Sequence, residues 1–239
     1  MCLKKSYLIF FLFFTFFACK KENKTSFSNI TISTEKNDLV EVNIPKANGD
    51  ENISKKINST IKELIISALH IGNPDDVASK SIEESIDAFN KEYTDFVTDF
   101  PDTVPEWEAQ IDGEVMFQSP EIISLAFTSY KFTGGAHGNL LISLLNFNAQ
   151  TGNLIENSEL FNDIESFKTL ANTYFDKAIE DKNTLFEPTK FQLPENMGYG
   201  EEGVVLLYNT YEIAPYSTGL IEFVIPFEDA KPFLVFNSL

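Results

Sequence analysis

Trp107-Glu-Ala-Gln-Ile-Asp-Gly-Glu-Val-Met-Phe117 decides the architecture. Trp107, Ala109, Ile111, Val115 and Phe117 alternate with polar partners, as a half-buried strand requires. Strands continue from Ile122 to Phe132 and from Leu140 to Asn148, which makes a meander. Asn148-Ala-Gln-Thr-Gly-Asn153 then places Gly152 where a tight hairpin turn needs a positive φ.

Upstream, Phe27 to Thr34 and Leu39 to Ile44 are β-rich and are followed by Pro45 and Gly49. Asp50 can cap a helix in which Ile53, Ile57, Ile61, Leu64, Ile65 and Ala68 recur at three and four. Ser81 and Glu84 have capping-box spacing before a second stripe, Ile82, Ile86, Phe89, Tyr93 and Phe96, closed by Pro101. Downstream, Phe167, Leu170, Ala171, Tyr174, Phe175, Ala178 and Ile179 mark a third helix over about 164–181, and Val204 to Tyr211 and Leu220 to Phe227 are strand-like. Asn196-Met-Gly-Tyr-Gly-Glu-Glu-Gly203 reads as a mobile connection. This order lacks regular βαβ alternation, so the expected class is α+β, an antiparallel sheet with about three helices packed on one side. Trp107, Phe127, Phe147, Tyr174 and Phe223 are expected in its core.

The 239 residues carry 36 acidic and 18 basic side chains, all of the latter lysine, for a formal charge of −18. Nucleic-acid binding is excluded on that field, and without arginine the bidentate grip on phosphate is missing. Lys4 and Lys5 precede the apolar run from Tyr7 to Ala18, too short for a bilayer core of ~30 Å. Residues 1–18 therefore read as a signal peptide. Phe16-Phe17-Ala18-Cys19 resembles a bacterial lipobox, which implies acylation of Cys19. Cys2 lies in the signal, so the exported body has no second cysteine with which Cys19 could pair. Residues 19–26 then form the lipid anchor and tether. Lys20-Lys21-Glu22 resembles surface-export signals of some Gram-negative lipoproteins. The expected location is the outer membrane, on its periplasmic or surface face. Loss of Lys4 and Lys5 leaves 16 basic against 36 acidic residues, a charge of 16 − 36 = −20.

Tyr130-Lys-Phe-Thr-Gly-Gly-Ala-His-Gly-Asn139, Asn146-Phe-Asn-Ala-Gln-Thr-Gly152 and Tyr211-Glu-Ile-Ala-Pro-Tyr-Ser-Thr-Gly219 fall in a distinctive order. Together they resemble the extracytoplasmic domain of RsiV-type anti-sigma factors, which also precedes the catalytic part of PdaC-type peptidoglycan deacetylases and occurs in small lipoproteins. The motifs span about 130–233, whereas 27–125 match only the general strand and helix order. Two subdomains are expected, an N-terminal α+β part over 27–125 and a C-terminal RsiV/PdaC-like part over 126–239. The resemblance implies an α+β fold and, for RsiV members, direct binding of lysozyme. Neither a cytoplasmic anti-sigma segment nor a deacetylase domain is expected here.

Chemically, a deacetylase zinc site needs an aspartate and a histidine pair at helical spacing, and the chain has only His70 and His137. His70, near a helix end, reads as structural. No catalytic residue, metal site or cofactor is expected. The candidate ligand-binding residues are Gly134, Gly135, His137 and Asn139 in one loop, with Tyr211 and Tyr216 in another. Pro215 and Tyr216 also suit a strand corner packed on the core, and His137 a turn residue capping a carbonyl. The reading is a non-enzymatic envelope lipoprotein that binds a cationic protein such as lysozyme, or a peptidoglycan-derived ligand, and reaches the membrane through Cys19. The alternative is an envelope polysaccharide hydrolase or deacetylase using His137 with a carboxylate supplied by the fold.

Overall fold

The computed structural model describes residues 25–101 and 105–237; the signal peptide, Cys19 and most of the tether lie outside them. The class is α+β with helices packed on sheets, and two sheets share the strands. The first has six strands in sequence order: β1 (Thr25–Ile32), β2 (Val40–Gly49), β3 (Glu108–Gln118), β4 (Ile122–Phe132), β5 (Asn139–Asn148) and β6 (Leu154–Ile155). The second is a meander of β7 (Asn196–Tyr199), β8 (Gly203–Tyr208) and β9 (Ile221–Pro226). All pairings are antiparallel except β2 with β3, which is parallel because the chain passes through α1 (Glu51–Leu69) and α2 (Ile82–Asp99) between them.

The helix starts follow their caps. The Asp50 side chain accepts from the Asn52 and Ile53 amides, and Ser81 accepts from the Glu84 amide at 3.1 Å. Glu84 returns to the Lys80 amide at 2.7 Å instead of that of Ser81. Ile53, Ile57, Ile61 and Ile65 of α1 and Ile82, Ile86 and Phe89 of α2 are buried with Val42, Ile111, Leu125, Phe127 and Phe147 in one core. At ~25 cal/mol per Å² of apolar surface, burial of such side chains is the main stabilising term. The α2 stripe runs out into solvent at Phe96, which packs on Phe100 and Trp107. Gly113 is fixed by the same packing: a Cβ there would lie 2.6 Å from the Phe127 ring.

A second core joins the second sheet to α3 (Ile164–Ala178), through Phe167, Ala171, Phe175, Tyr208 and Phe223, and takes Ile122 from β4. The helices thus cover two sheets, not one side of one sheet. Trp107, Phe127, Phe147 and Phe223 are buried as expected. Tyr174 is half-buried, because its hydroxyl reaches out to the Asp229 carboxylate. α3 also ends earlier than its pattern, at Ala178. β1 starts at Thr25, within the expected tether, by pairing with Gly49. β2 continues through Pro45 to Gly49. Proline is tolerated there because the β2–β3 register ends at Asn43–Asp112. Residues 196–203 are not a mobile connection: Met197, Gly198 and Tyr199 are buried in β7 and turn directly into β8. The 125/126 division falls within β4. The residues of both cores lie between Leu39 and Leu234, so a body beginning at Lys20 keeps them all.

The two sheets meet at β5 and β7 without a shared backbone ladder, and side-chain amides bridge the gap. Asn196 Oδ1 accepts from the Leu144 amide at 2.9 Å. Asn209 Oδ1 accepts from the Ile142 amide at 2.8 Å, and its Nδ2 donates to the Ile142 carbonyl at 2.9 Å. Asn146, 2% exposed, donates to the Met197 carbonyl at 2.7 Å and accepts from Ser124 Oγ at 2.6 Å; Ser124 Oγ in turn accepts from the Tyr199 amide at 3.1 Å. Truncating Asn146 removes the side-chain donor of the Met197 carbonyl and the acceptor of the Ser124 hydroxyl proton, both in buried surroundings. Asn146→Ala should therefore cost about 2–3 kcal/mol, read as a lower urea midpoint at unchanged slope.

Candidate functional site

The β4–β5 hairpin and the loop after β8 converge on one carbonyl. Gly138 packs so closely under Tyr130 that a Cβ would meet its ring at 2.2 Å. The Gly138 carbonyl, held in place by that contact, faces His137 Nδ1 at 2.9 Å and accepts from the Tyr216 hydroxyl at 3.2 Å. A carbonyl cannot donate, so Nδ1 carries the proton in that bond and Nε2 is left for a partner. The two rings stack, with centroids 3.8 Å apart and planes inclined by 18°. Tyr211 extends the row, its ring 5.8 Å from that of Tyr216. His137 is exposed, and Tyr211 is 58% exposed. The result is a ledge of three aromatic rings, His137 and Tyr211 exposed and Tyr216 half-buried between them.

The loop that carries Tyr211 and Tyr216 is pinned at its start, and its strained residue lies just past that anchor. Asn209 anchors it to β5 through the two bonds to Ile142. Glu212 accepts from the Asn209 amide at 2.9 Å and the Glu195 amide at 2.8 Å. Burial raises the Glu212 carboxyl above its ordinary value, while these backbone amides act in the opposite direction. Between them Tyr211 takes φ 68°, the one positive φ outside glycine among the described residues. A bulky residue in that region costs about 1–2 kcal/mol. The turn imposes it: the Tyr211 amide donates to the Ala214 carbonyl and the Glu212 amide to the Asn209 carbonyl, both at 3.1 Å. Behind the loop lies a pocket of about 230 Å³ walled by Phe175, Phe186, Tyr208 and Ile213.

Of the candidate residues, His137, Tyr211 and Tyr216 come together. Gly134 and Gly135 lie in the exposed part of the hairpin, and Gly134, at φ 85°, turns it past Pro105 and Trp107. Asn139 is exposed and opens β5. His70 is distant in role: its Nε2 meets the Asn73 carbonyl at 2.8 Å beyond α1. Gly138, Tyr130 and Glu212 lie within the motif strings without having been candidate binding residues, and Asn209 lies outside every motif. The Gly-Ala-His-Gly string signalled a close approach at Gly138, but nothing local signalled the positioning roles of the other three. His137 is held by a backbone carbonyl, not a carboxylate, which fixes the ring and its tautomer. Among the described residues no group of three or more His, Cys, Asp or Glu could hold a metal ion, and no helix is long and apolar enough to cross a membrane.

The strain at Tyr211 gives a direct test. At an ordinary position alanine is more stable than glycine by about 0.5–1 kcal/mol. At 211 the order should invert, with Tyr211→Gly more stable than Tyr211→Ala by about 1 kcal/mol in urea unfolding.

Comparison with known proteins bears out the resemblance. Residues 32–140 match the family described as Deacetylase PdaC, and residues 149–228 match a family described as a protein of unknown function, DUF3298. The PdaC match covers the upstream half, where the motifs gave only the general element order. Both matches point to a cell-envelope domain. Among solved structures, a DUF3298 family member from Bacteroides fragilis is similar with TM-score 0.66 at 18% identity, over 90% of this chain and 96% of that one. A DUF3298 family protein from Pseudomonas aeruginosa is similar with TM-score 0.59 at 19% identity, over 89% and 94%. At these identities the likeness is one of fold. A search of the curated proteins found no match.

Proposed function

We propose that this chain is a lipid-anchored protein of the bacterial outer membrane that binds its ligand on the His137–Tyr216–Tyr211 ledge and performs no catalysis of its own. The observation that carries the reading is Tyr211, a large ring held exposed at a backbone cost of about 1–2 kcal/mol. The turn fixes that ring in place, and a contact residue gains from being fixed before the partner arrives. Tyrosine and stacked rings supply wide contact area with few rotatable bonds.

A cationic protein such as a lysozyme is the favoured ligand. The mature charge of 16 − 36 = −20 attracts it at range, and the ledge supplies close contacts. The resemblance to RsiV-type domains, whose members bind lysozyme, supports the same direction. The exposed flat rings also favour a second ligand, a peptidoglycan fragment whose sugar faces stack on them. Acylation of Cys19 would hold the body at the membrane.

Calorimetry of the body, residues 20–239, against lysozyme and muropeptides separates these ligands. Lysozyme binding should weaken about tenfold or more between 0.1 and 1 M salt, as the Debye length falls from ~10 to ~3 Å. Muropeptide binding should change little. His137→Ala and Tyr216→Ala should each cost about 1–2 kcal/mol in affinity. No heat with either ligand at micromolar concentrations would refute the ledge as this kind of site. For the anchor, Cys19→Ser should abolish labelling by a palmitate analogue and release the protein; unchanged labelling would refute acylation.

A further inference from the structure

The first sheet carries a second feature, on its helix-facing side and independent of the ledge. α1 packs over β2 and β3 but leaves the margin of β5 uncovered, so Leu141 stays 41% exposed on the side that Ser143 shares with Phe127. A groove of about 180 Å³ runs there between α1 and β5. Ile111 and Phe127 form its floor, Leu64 and Leu141 its walls, and Ser143 and Lys131 part of its polar rim. That volume is below the ~300–1,000 Å³ of sites for drug-sized ligands, so it fits a terminal group and not a whole molecule.

Lys131 is the unusual member. Its Nζ donates to the Ala68 and His70 carbonyls, at 2.9 and 2.7 Å, at the C-terminal end of α1. Two of its three protons are used, and the negative end of the helix dipole partly compensates the charge. Yet the side chain is in no ion pair among the described residues, in a chain with 36 carboxylates, and burial lowers its pKa from the usual lysine value. A desolvated ammonium without a counter-ion is costly, and an incoming anion would relieve that cost.

We propose that this groove is a binding site for a small apolar group ending in a carboxylate, with Lys131 Nζ as the partner of the anion. One ammonium with one uncommitted proton matches a single negative charge. A phosphate dianion would be repelled by the acidic body and would find no arginine fork. The apolar floor and walls take the body of the ligand. A peptide C-terminus and a short fatty acid share this chemistry.

The test is two-dimensional NMR of residues 20–239 titrated with N-acetyl-alanyl-alanine, with its C-terminal amide, and with hexanoate. At least one of the acids should shift the amide signals of Leu141 and Ser143 with a Kd on the order of 1 mM, and the amide should bind at least about tenfold more weakly. A response to the peptide alone assigns the site to peptide termini, to hexanoate alone to fatty acids, and to both to carboxylates generally; each upholds the proposal. Lys131→Met should abolish the shifts. Because that change also removes two bonds from the end of α1, Ser143→Phe provides the independent variant: it fills the groove beside Phe127, leaves Lys131 in place, and should abolish the shifts with the fold retained. Equal binding of acid and amide, no shift with either acid up to about 20 mM, or undiminished binding to Ser143→Phe would overturn the proposal.

Discussion

The structure depends on asparagine side chains doing the work of a β-ladder where no strand can be placed. The outer backbone groups of β5 at Ile142 and Leu144 face the second sheet, and unpaired they would carry the cost of buried, unsatisfied amides. Asn209 pairs with both groups of Ile142, and Asn196 with the amide of Leu144. A carboxamide suits this role because it offers a donor and an acceptor side by side, as a neighbouring strand would. The same device recurs in the first core, where Asn58 of α1 accepts from the Ala47 amide and donates to its carbonyl, both at 2.9 Å. There β3 has already diverged from β2, so again a side chain replaces a missing strand.

From this seam the ledge follows. Asn209 fixes where the loop leaves β8, Glu212 ties its next turn to the Asn209 and Glu195 amides, and the turn between them holds Tyr211 at φ 68°. Tyr216 is delivered over Gly138, where the hairpin of the other sheet presents His137. Two segments far apart in sequence thus share one carbonyl. The hairpin also carries Lys131 and Asn139 on the opposite, helix-facing side of β4 and β5, so one end of the molecule displays an open aromatic row and a groove with a lone ammonium.

Much of this was legible locally. The alternation from Trp107 to Phe117, the isoleucine stripe of α1 and the caps at Asp50 and Ser81 are short-range signals, and the structure uses them. So is Gly152, whose φ of 70° closes the turn and whose Cβ would meet the Ile53 carbonyl at 2.7 Å. The second sheet was less legible, because β7 contains two residues with little strand preference, Asn196 and Gly198, and is a strand only through its pairing with β8. The parallel β2–β3 pair depends on how α1 and α2 return the chain, which no residue spacing encodes. Tyr174 matched the buried face of α3 by period, but its hydroxyl found Asp229 and kept the ring at the surface. For the site, glycines and aromatics marked His137, Tyr211 and Tyr216, whereas the asparagine and glutamate that position them act through backbone groups distant in sequence.

The seam and the ledge are linked by one observable. The chain has two histidines, so the ring protons of His137 can be followed by proton NMR with His137→Ala as the assignment control. A ring stacked at 3.8 Å on Tyr216 must show an upfield ring-current shift. If Asn209 holds the loop in register, Asn209→Ala, which removes neither ring, should return the His137 signals to the positions of a free histidine while the rest of the spectrum stays dispersed. Unshifted His137 protons in the native protein, or an upfield shift that survives Asn209→Ala, would contradict the dependence of the ledge on the seam.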